Sequence, residues 1–371
     1  MIPIQRPSIG TEELEEIKKV FDTGWLGLGS VVYEFEELVK EYLGAEDVVA
    51  VNSGTTALHI ALDSIGIGSG DEVIVPSLTF CASVQVITSL GAIPVFCEID
   101  PLTLNIDVND AKKRITPKTK AIMPVHYCGN PCDMDFLLSL GRERNIIIIE
   151  DAAHAFGSLY KGKKIGSFGN VTCFSFDPIK TLTCGEGGAV AVNHDLAELI
   201  RRKRNLGIDK DAYRRYEGTQ NWFYEVVTQG YRYHMSNINA AIGLAQLKKL
   251  PLFIKRKQDI VKTYNENFSR TKGIVLLNWN VDEVSPFSYM IRVLNNRRDL
   301  LIEFLKTRGV GSGVHYIPNH MQPFFAKYAG ALPVTETIWR EIVTLPLYAD
   351  MTDNDVRKVV DSVNEFFASE C

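Results

Sequence analysis

Three things are missing from this 371-residue sequence. It has no surplus of positive charge: 40 lysines and arginines stand against 45 aspartates and glutamates, for a net charge of −5. That argues against nucleic acid or an anionic membrane surface as the partner, although a local basic patch could hold a small phosphorylated ligand. No apolar run approaches the ~18 residues that a membrane span requires. The N-terminus, MIPIQRPSIGTEELEE, has no basic start followed by an apolar stretch, so no signal peptide is read and a cytoplasmic location is expected. The seven cysteines are odd in number and scattered. Cys128 and Cys132 form a lone CxxxC with no second pair at matching spacing, so no metal site is expected and the thiols read as reduced.

What is present is ordinary globular composition, 46% apolar and 23% charged. The length implies two domains, or one large α/β domain with a smaller one attached. The pattern along the chain is more specific. Helical spacing over Thr11 to Phe21 and Val32 to Leu43 opens the sequence, the second run ending at Gly44. Strand-like and helical runs then alternate. The strands are expected at 47–51, 72–75, 93–97, 121–125 and 146–149, and the helices at 56–64, 80–90, 108–114 and 134–144. Such alternation implies right-handed βαβ units and a mainly parallel sheet between helices, with ligands at the carboxyl ends of its strands.

After Ile149 the rhythm changes. Strands are expected at 171–176 and 188–192 and a helix at 196–204. Residues 209–229 read as an excursion loop without a clear period. Helices follow at 235–247 and 252–268, separated by Pro251. The boundary is therefore placed near Leu250, giving a large domain over 1–249 and a smaller C-terminal α+β domain over 250–371.

Chemistry is sought just after each strand. Ser53-Gly54-Thr55-Thr56 opens a helix, where free N–H groups and small hydroxyls suit a phosphate. Phe80, after the second strand, can cover a planar ring. Glu150 and Asp151 end a run of four isoleucines. An acid there is costly unless paired or functional, and an aspartate can hold a protonated heterocyclic nitrogen. His154 lies three residues on. Ser175 ends the next strand, and Lys180 follows in a turn-rich stretch before a glycine-rich hairpin. A sheltered lysine has a lowered pKa and more of the free amine needed for a Schiff base. Each signal alone is commonplace: a cap, a core aromatic, a structural histidine, a surface charge. Together they supply a phosphate cup, a ring cover, an acid for a ring nitrogen and an amine for an aldehyde. That set matches pyridoxal 5'-phosphate.

On these residues the chain resembles the nucleotide-sugar aminotransferases of the aspartate aminotransferase superfamily, the fold type I pyridoxal phosphate enzymes. NSGTTAL, the EDAAH segment and the stretch FSFDPIKTLTCGEGG occur in that family's order, and the likeness runs from GWLGLG to HYIPNHMQPFF. The resemblance implies that Lys180 bonds the cofactor, Asp151 pairs with the pyridine nitrogen, His154 lies on or beside the ring and Phe80 takes its opposite face. It implies phosphate contacts from Thr55, Thr56 and Ser175. His234, or Arg232, would reach the site of a second copy, making a homodimer with shared active sites. Trp25, His315 and Tyr316 would line the sugar pocket, with His320 a weaker candidate. Asp177 and Cys184 depart from the family's usual residues beside the lysine.

The implied reaction moves an amino group from L-glutamate to a nucleotide-linked keto-deoxy sugar, a 4-keto-6-deoxy sugar first and a 3-keto sugar as the alternative. The product would be an amino sugar for a surface polysaccharide, such as lipopolysaccharide O-antigen, or for a glycoside. Two rivals stand beside it: a dehydratase using the same cofactor, and a non-catalytic regulatory relative. Dehydrating relatives carry His where this chain has Lys180, which favours transamination. A nicotinamide enzyme is disfavoured because no GxGxxG follows the first strand.

Overall fold

The computed structural model describes residues 1–169, 171–209 and 222–368. Seven strands form the main sheet: β1 (Asp47–Val51), β2 (Glu72–Pro76), β3 (Ile93–Cys97), β4 (Thr119–Ile122), β5 (Ile147–Asp151), β8 (Val171–Ser175) and β9 (Gly188–Val192). The short pair β6 (Leu159–Tyr160) and β7 (Lys163–Lys164) is a separate hairpin. The order across the main sheet is β1-β9-β8-β5-β4-β2-β3. Only β9 runs antiparallel to its neighbours. The expected mainly parallel sheet is therefore what forms.

Its strands are apolar on both faces because helices cover both. Successive side chains point to opposite sides. Val48 and Ala50 of β1 thus join one core with Phe35, Phe174 and Leu244, and Val49 and Val51 join the other with Ile60, Val75 and Ile200. A second sheet, β10 (Ile274–Leu276), β11 (Tyr289–Val293) and β12 (Ile342–Leu345), is wholly antiparallel. It packs its own core with Leu301, Leu305, Val359 and Val363. The chain start belongs here too: Ile2 bridges Val310 and is buried in this core.

One expectation is corrected. The helices expected either side of Pro251 are one helix, Asn237–Phe268, with Pro251 inside it. Proline in a helix interior costs ~3 kcal/mol, because it removes a backbone bond and crowds the preceding turn. Burial of Leu250, Ile260, Val261 and Tyr264 along the same helix offsets that. Residue 250 therefore lies within a continuous helix that touches both cores, with no linker there. The expected loop at 209–229 falls mostly on residues 210–221, outside the described residues. Its flanks pair, through a bridge from Ile208 to Val226 and a bond from the Asp209 N–H to the Glu225 carbonyl. No helix among the described residues is long and apolar enough to cross a membrane.

Candidate active site

The carboxyl ends of β1, β2, β5 and β8 open on one cavity of about 310 Å³. Thr55, Phe80, Asp151, His154, Ser175, Lys180, His315 and Tyr316 all line it. These eight residues are scattered over some 260 positions of sequence, and the parallel topology gathers them.

The β1 corner is built by a helix start. Ser53 caps the helix Gly54–Ser64, its hydroxyl accepting the Thr56 N–H. Two glycines permit a close approach there. A Cβ on Gly54 would lie 2.6 Å from Ser175 Cβ, and one on Gly188 would lie 2.4 Å from the Ser53 carbonyl oxygen. The helix N-terminus is thereby pressed against the end of β8, so that Thr55 and Ser175 line one wall. Thr56 does not share in it. Its hydroxyl closes the capping box, accepting the Ser53 N–H at 3.1 Å and lying 2.8 Å from Asn52 Oδ1. One step along a helix turns a side chain by about 100°, enough to send Thr56 back to the cap.

β5 delivers two acids to opposite sides. Glu150 is fully buried away from the cavity, accepting from Thr172 Oγ1 at 2.6 Å and meeting His126 Nε2 at 2.8 Å. The Cys132 N–H donates to His126 Nδ1, so the ring proton sits on Nε2 and points at Glu150. Asp151 faces the cavity. Its Oδ2 accepts from Ser83 Oγ at 2.7 Å and its Oδ1 from the Ala153 N–H at 3.1 Å.

Lys180 enters from the turn after β8. Its Nζ lies 4.3 Å from the centre of the Phe287 ring. Burial lowers its pKa to about 8, against the opposing pull of Asp177 and Asp151. His154 stacks on the same Phe287 ring, 4.0 Å between centres and 16° between planes. Burial, then the Lys180 charge, holds His154 well below the usual histidine range, so it is neutral at pH 7. Its Nε2 is 3.4 Å from the Tyr316 hydroxyl, and its Nδ1 has no hydrogen-bond partner among the described residues. Phe80, 52% exposed, leans towards Tyr316 with ring centres 5.4 Å apart. His315 Nδ1 is anchored 2.9 Å from Thr344 Oγ1.

Four further candidates lie elsewhere in the single chain. The Trp25 indole donates to the Leu28 carbonyl at 2.8 Å, outside the cavity. His234 bridges Val51 at the end of β1, and Arg232 bridges Asn205. His320 meets Ser77 rather than the cavity. The sequence reading missed Phe287, Ser83, Gln5, Ser288 and Met290, all lining residues. Only the fold could find them, since they come from the chain start, one helix, and β11 with the two residues before it.

A model of the DegT/DnrJ/EryC1/StrS aminotransferase family matches residues 7–364. The chain belongs to this family. SpsC, a spore coat polysaccharide biosynthesis protein of Bacillus subtilis, is 38% identical over 375 residues, 98% of this chain and 96% of that one. The sugar aminotransferase CalS13 from Micromonospora echinospora superposes with TM-score 0.91 at 30% identity, covering 98% of this chain and 100% of that one. The Streptococcus pneumoniae protein Spr1654 in its PLP form gives TM-score 0.92 at 30% identity, over 99% of each chain. This aminotransferase is a pyridoxal phosphate-dependent enzyme acting on sugars.

The residues present fit that cofactor. An aldehyde needs an amine that is free near neutral pH, and Lys180 is the cavity's lysine, with its pKa lowered to about 8. A protonated ring nitrogen needs an ionised acid, and Asp151 is held by two donors. A phosphate needs N–H groups and hydroxyls, and the glycine-permitted contact of the helix start with Ser175 provides a cradle.

A second buried amine lies just behind. Lys257 is 5% exposed, donates to Thr181 Oγ1 at 2.8 Å, and meets no carboxylate among the described residues. Burial lowers its pKa to about 7. Between pH 7 and the unfolded value near 10.5 the unfolded chain binds the extra proton, so this residue's contribution to stability improves as pH rises. Lys257→Met should therefore gain stability over wild type most at pH 6 to 7 and lose that advantage towards pH 10. Urea unfolding of both proteins across that range checks it, and an advantage that grows with pH would refute it.

Proposed function

We propose that this aminotransferase moves the amino group of L-glutamate to a nucleotide-linked keto-deoxy sugar, with a 4-keto-6-deoxy sugar as the first acceptor to try. The observation that carries it is the low-pKa Lys180 in the same cavity as Asp151 and the Thr55/Ser175 cradle. The bound cofactor supplies an electron sink for the carbon that loses its proton. Lys180 is read as the group that bonds the cofactor and then, once displaced, as the base and acid that move that proton. A primary amine titrating near pH 8 suits both duties, since it gives and takes a proton at little cost near neutrality. Asp151 is read as the partner of the ring nitrogen, fixed in place by Ser83 and the Ala153 N–H.

Thr55, Ser175 and the N–H groups of the helix start are read as the phosphate cradle. Phe80 and His154 are read as the covers of the ring. His315, Tyr316 and Gln5 line the outer part of the cavity and are read as sugar contacts. Neutral His154 adds no positive charge beside Lys180 and Asp151.

The assembly is read as a homodimer. Trp222, Phe223, Tyr224, Val226 and Val227 are exposed by 74, 48, 50, 65 and 52%. An apolar strip of that kind favours association. Arg232 or His234 acts, on this reading, towards a second copy's cavity. A cytoplasmic location fits the unpaired thiols of Cys81, Cys97, Cys128, Cys132, Cys173 and Cys184.

The test is a visible spectrum of the purified protein with pyridoxal phosphate, before and after L-glutamate. Loss of the visible band of the lysine-bound cofactor on adding glutamate, and its return on adding a nucleotide-linked 4-keto-6-deoxy sugar, supports the reading. A band that glutamate leaves unchanged, or keto-sugar turnover without any amino donor, overturns it in favour of the dehydratase.

A further inference from the structure

The segment that carries His315 and Tyr316 continues into Asn319 and His320, and there it grips the loop after β2. Asn319 Nδ2 donates to the carbonyls of Ser77 at 3.1 Å and Thr79 at 2.8 Å. The Asn319 backbone N–H donates to the Ser77 carbonyl at 2.8 Å. The Ser77 hydroxyl lies 2.7 Å from His320 Nδ1, and the His320 backbone N–H donates to Ser77 Oγ at 3.0 Å. Ser77, Thr79 and Asn319 are 0, 2 and 1% exposed, so water cannot replace these bonds cheaply.

From Thr79 the bonds continue inward. Thr79 Oγ1 lies 3.0 Å from Ser83 Oγ, which lies 2.7 Å from Asp151 Oδ2. An ionised carboxylate only accepts, and a hydroxyl has a single proton to give. The Ser83 hydroxyl also lies 3.2 Å from the Phe80 carbonyl, but its shorter bond, to the charged Asp151, takes the proton, and Thr79 gives its own to Ser83. Every proton in the run points towards Asp151, and each bond polarises the next. The Thr79 carbonyl, held by Asn319, fixes the residue from which that run starts.

We propose that Asn319 is a positioning residue for Asp151, acting through Thr79 and Ser83, so that the segment bearing the sugar-side residues also sets the carboxylate facing the cofactor ring. This rests on the reading of Asp151 given above. Phe80 is the next residue on the gripped loop, so one anchor holds both the ring cover and the acid. His320 and Ser77 lock the loop's other end. The acceptor side of the cavity and the electron-drawing side are thus tied by four hydrogen-bonded residues rather than by the sheet alone.

The test uses Thr79→Val, which keeps shape and deletes the hydroxyl, Thr79→Ser, which keeps the hydroxyl, and Asn319→Ala. Asp151→Asn is the reference. Two readouts are taken on each holoenzyme: the Kd for pyridoxal phosphate from protein fluorescence, and the pH midpoint of the bound cofactor's visible band. Thr79→Val and Asn319→Ala should raise the Kd roughly three- to tenfold. They should also move the midpoint in the direction that Asp151→Asn moves it, and Thr79→Ser should restore both. A folded Thr79→Val that matches wild type in both readouts overturns the proposal, as does a Thr79→Ser that fails equally. If Asn319→Ala does not fold, Asn319→Leu, which removes the Nδ2 donor at similar volume, takes its place, and a folded Asn319 variant that matches wild type in both readouts overturns the proposal. Should Asp151→Asn itself leave both readouts unchanged, the reading of Asp151 falls. Should it move them while Thr79→Val does not, only the relay falls.

Discussion

Lys180→Ala should lose transamination by more than about 10⁴-fold in kcat, because one side chain is asked both to bond the cofactor and to carry the proton. The visible band of the lysine-bound cofactor should vanish with it. Folding should not suffer. Lys180 sits at the cavity wall with its amine over the Phe287 ring, and its burial is a cost to the native state. Truncation removes that cost, so thermal unfolding should stay at or slightly above the wild-type temperature. A small primary amine added to the buffer should return part of the proton-transfer rate, as the lost group is an amine in a space large enough to admit one. Near-normal turnover in the purified variant would sink the assignment of Lys180, and a lowered melting temperature would show that the loss of activity is structural.

Asp151→Asn tests charge at almost constant shape. The amide keeps one oxygen for the Ser83 hydroxyl or the Ala153 N–H, so the packing around β5 should survive. What it loses is the negative charge that keeps a ring nitrogen protonated, and its NH₂ group then faces a donor. A preorganised electrostatic partner of this kind is worth about 10²–10³ in kcat. The expected result is a loss of that size in both half-reactions, with wild-type melting behaviour. Equal loss in both halves matters, because the electron-drawing duty is the same in each direction. A variant slowed only with the sugar would reassign Asp151 to the acceptor.

The order of elements was readable because helical and strand periods are local properties. Asp47–Val51, Ile93–Cys97, Met134–Arg144 and Gly188–Val192 have the bounds their patterns predict. That Lys180 and Asp151 would share one cavity was readable for a different reason: each is commonplace alone, but with Thr55 and Ser175 they make up the partners of one cofactor. Phe287 carried no such signal. It is an aromatic between a loop and β11, and nothing local says that it lies under both Lys180 and His154. Asn319 and Ser83 were hidden in the same way, since their partners are distant in sequence. Glu150 and Asp151 look equivalent as letters, and only strand alternation sends one to His126 and the other to the cavity. Thr55 and Thr56 differ by one helical step, which decides between cavity and cap. Pro251 misled for an energetic reason, because packing along the helix outweighs a local breaker.

That helix, Asn237–Phe268, works as a shared spine: its first half is pinned in the core of the large sheet and its second half in that of the small one. Neither sheet can swing freely on a hinge, because any rotation must flex a rigid rod. The rod has one weak joint, at Pro251, where a rung of its backbone ladder is missing. Relative movement of the two sheets is expected to be limited to small angles about that joint, and the two sheets should melt together as one body.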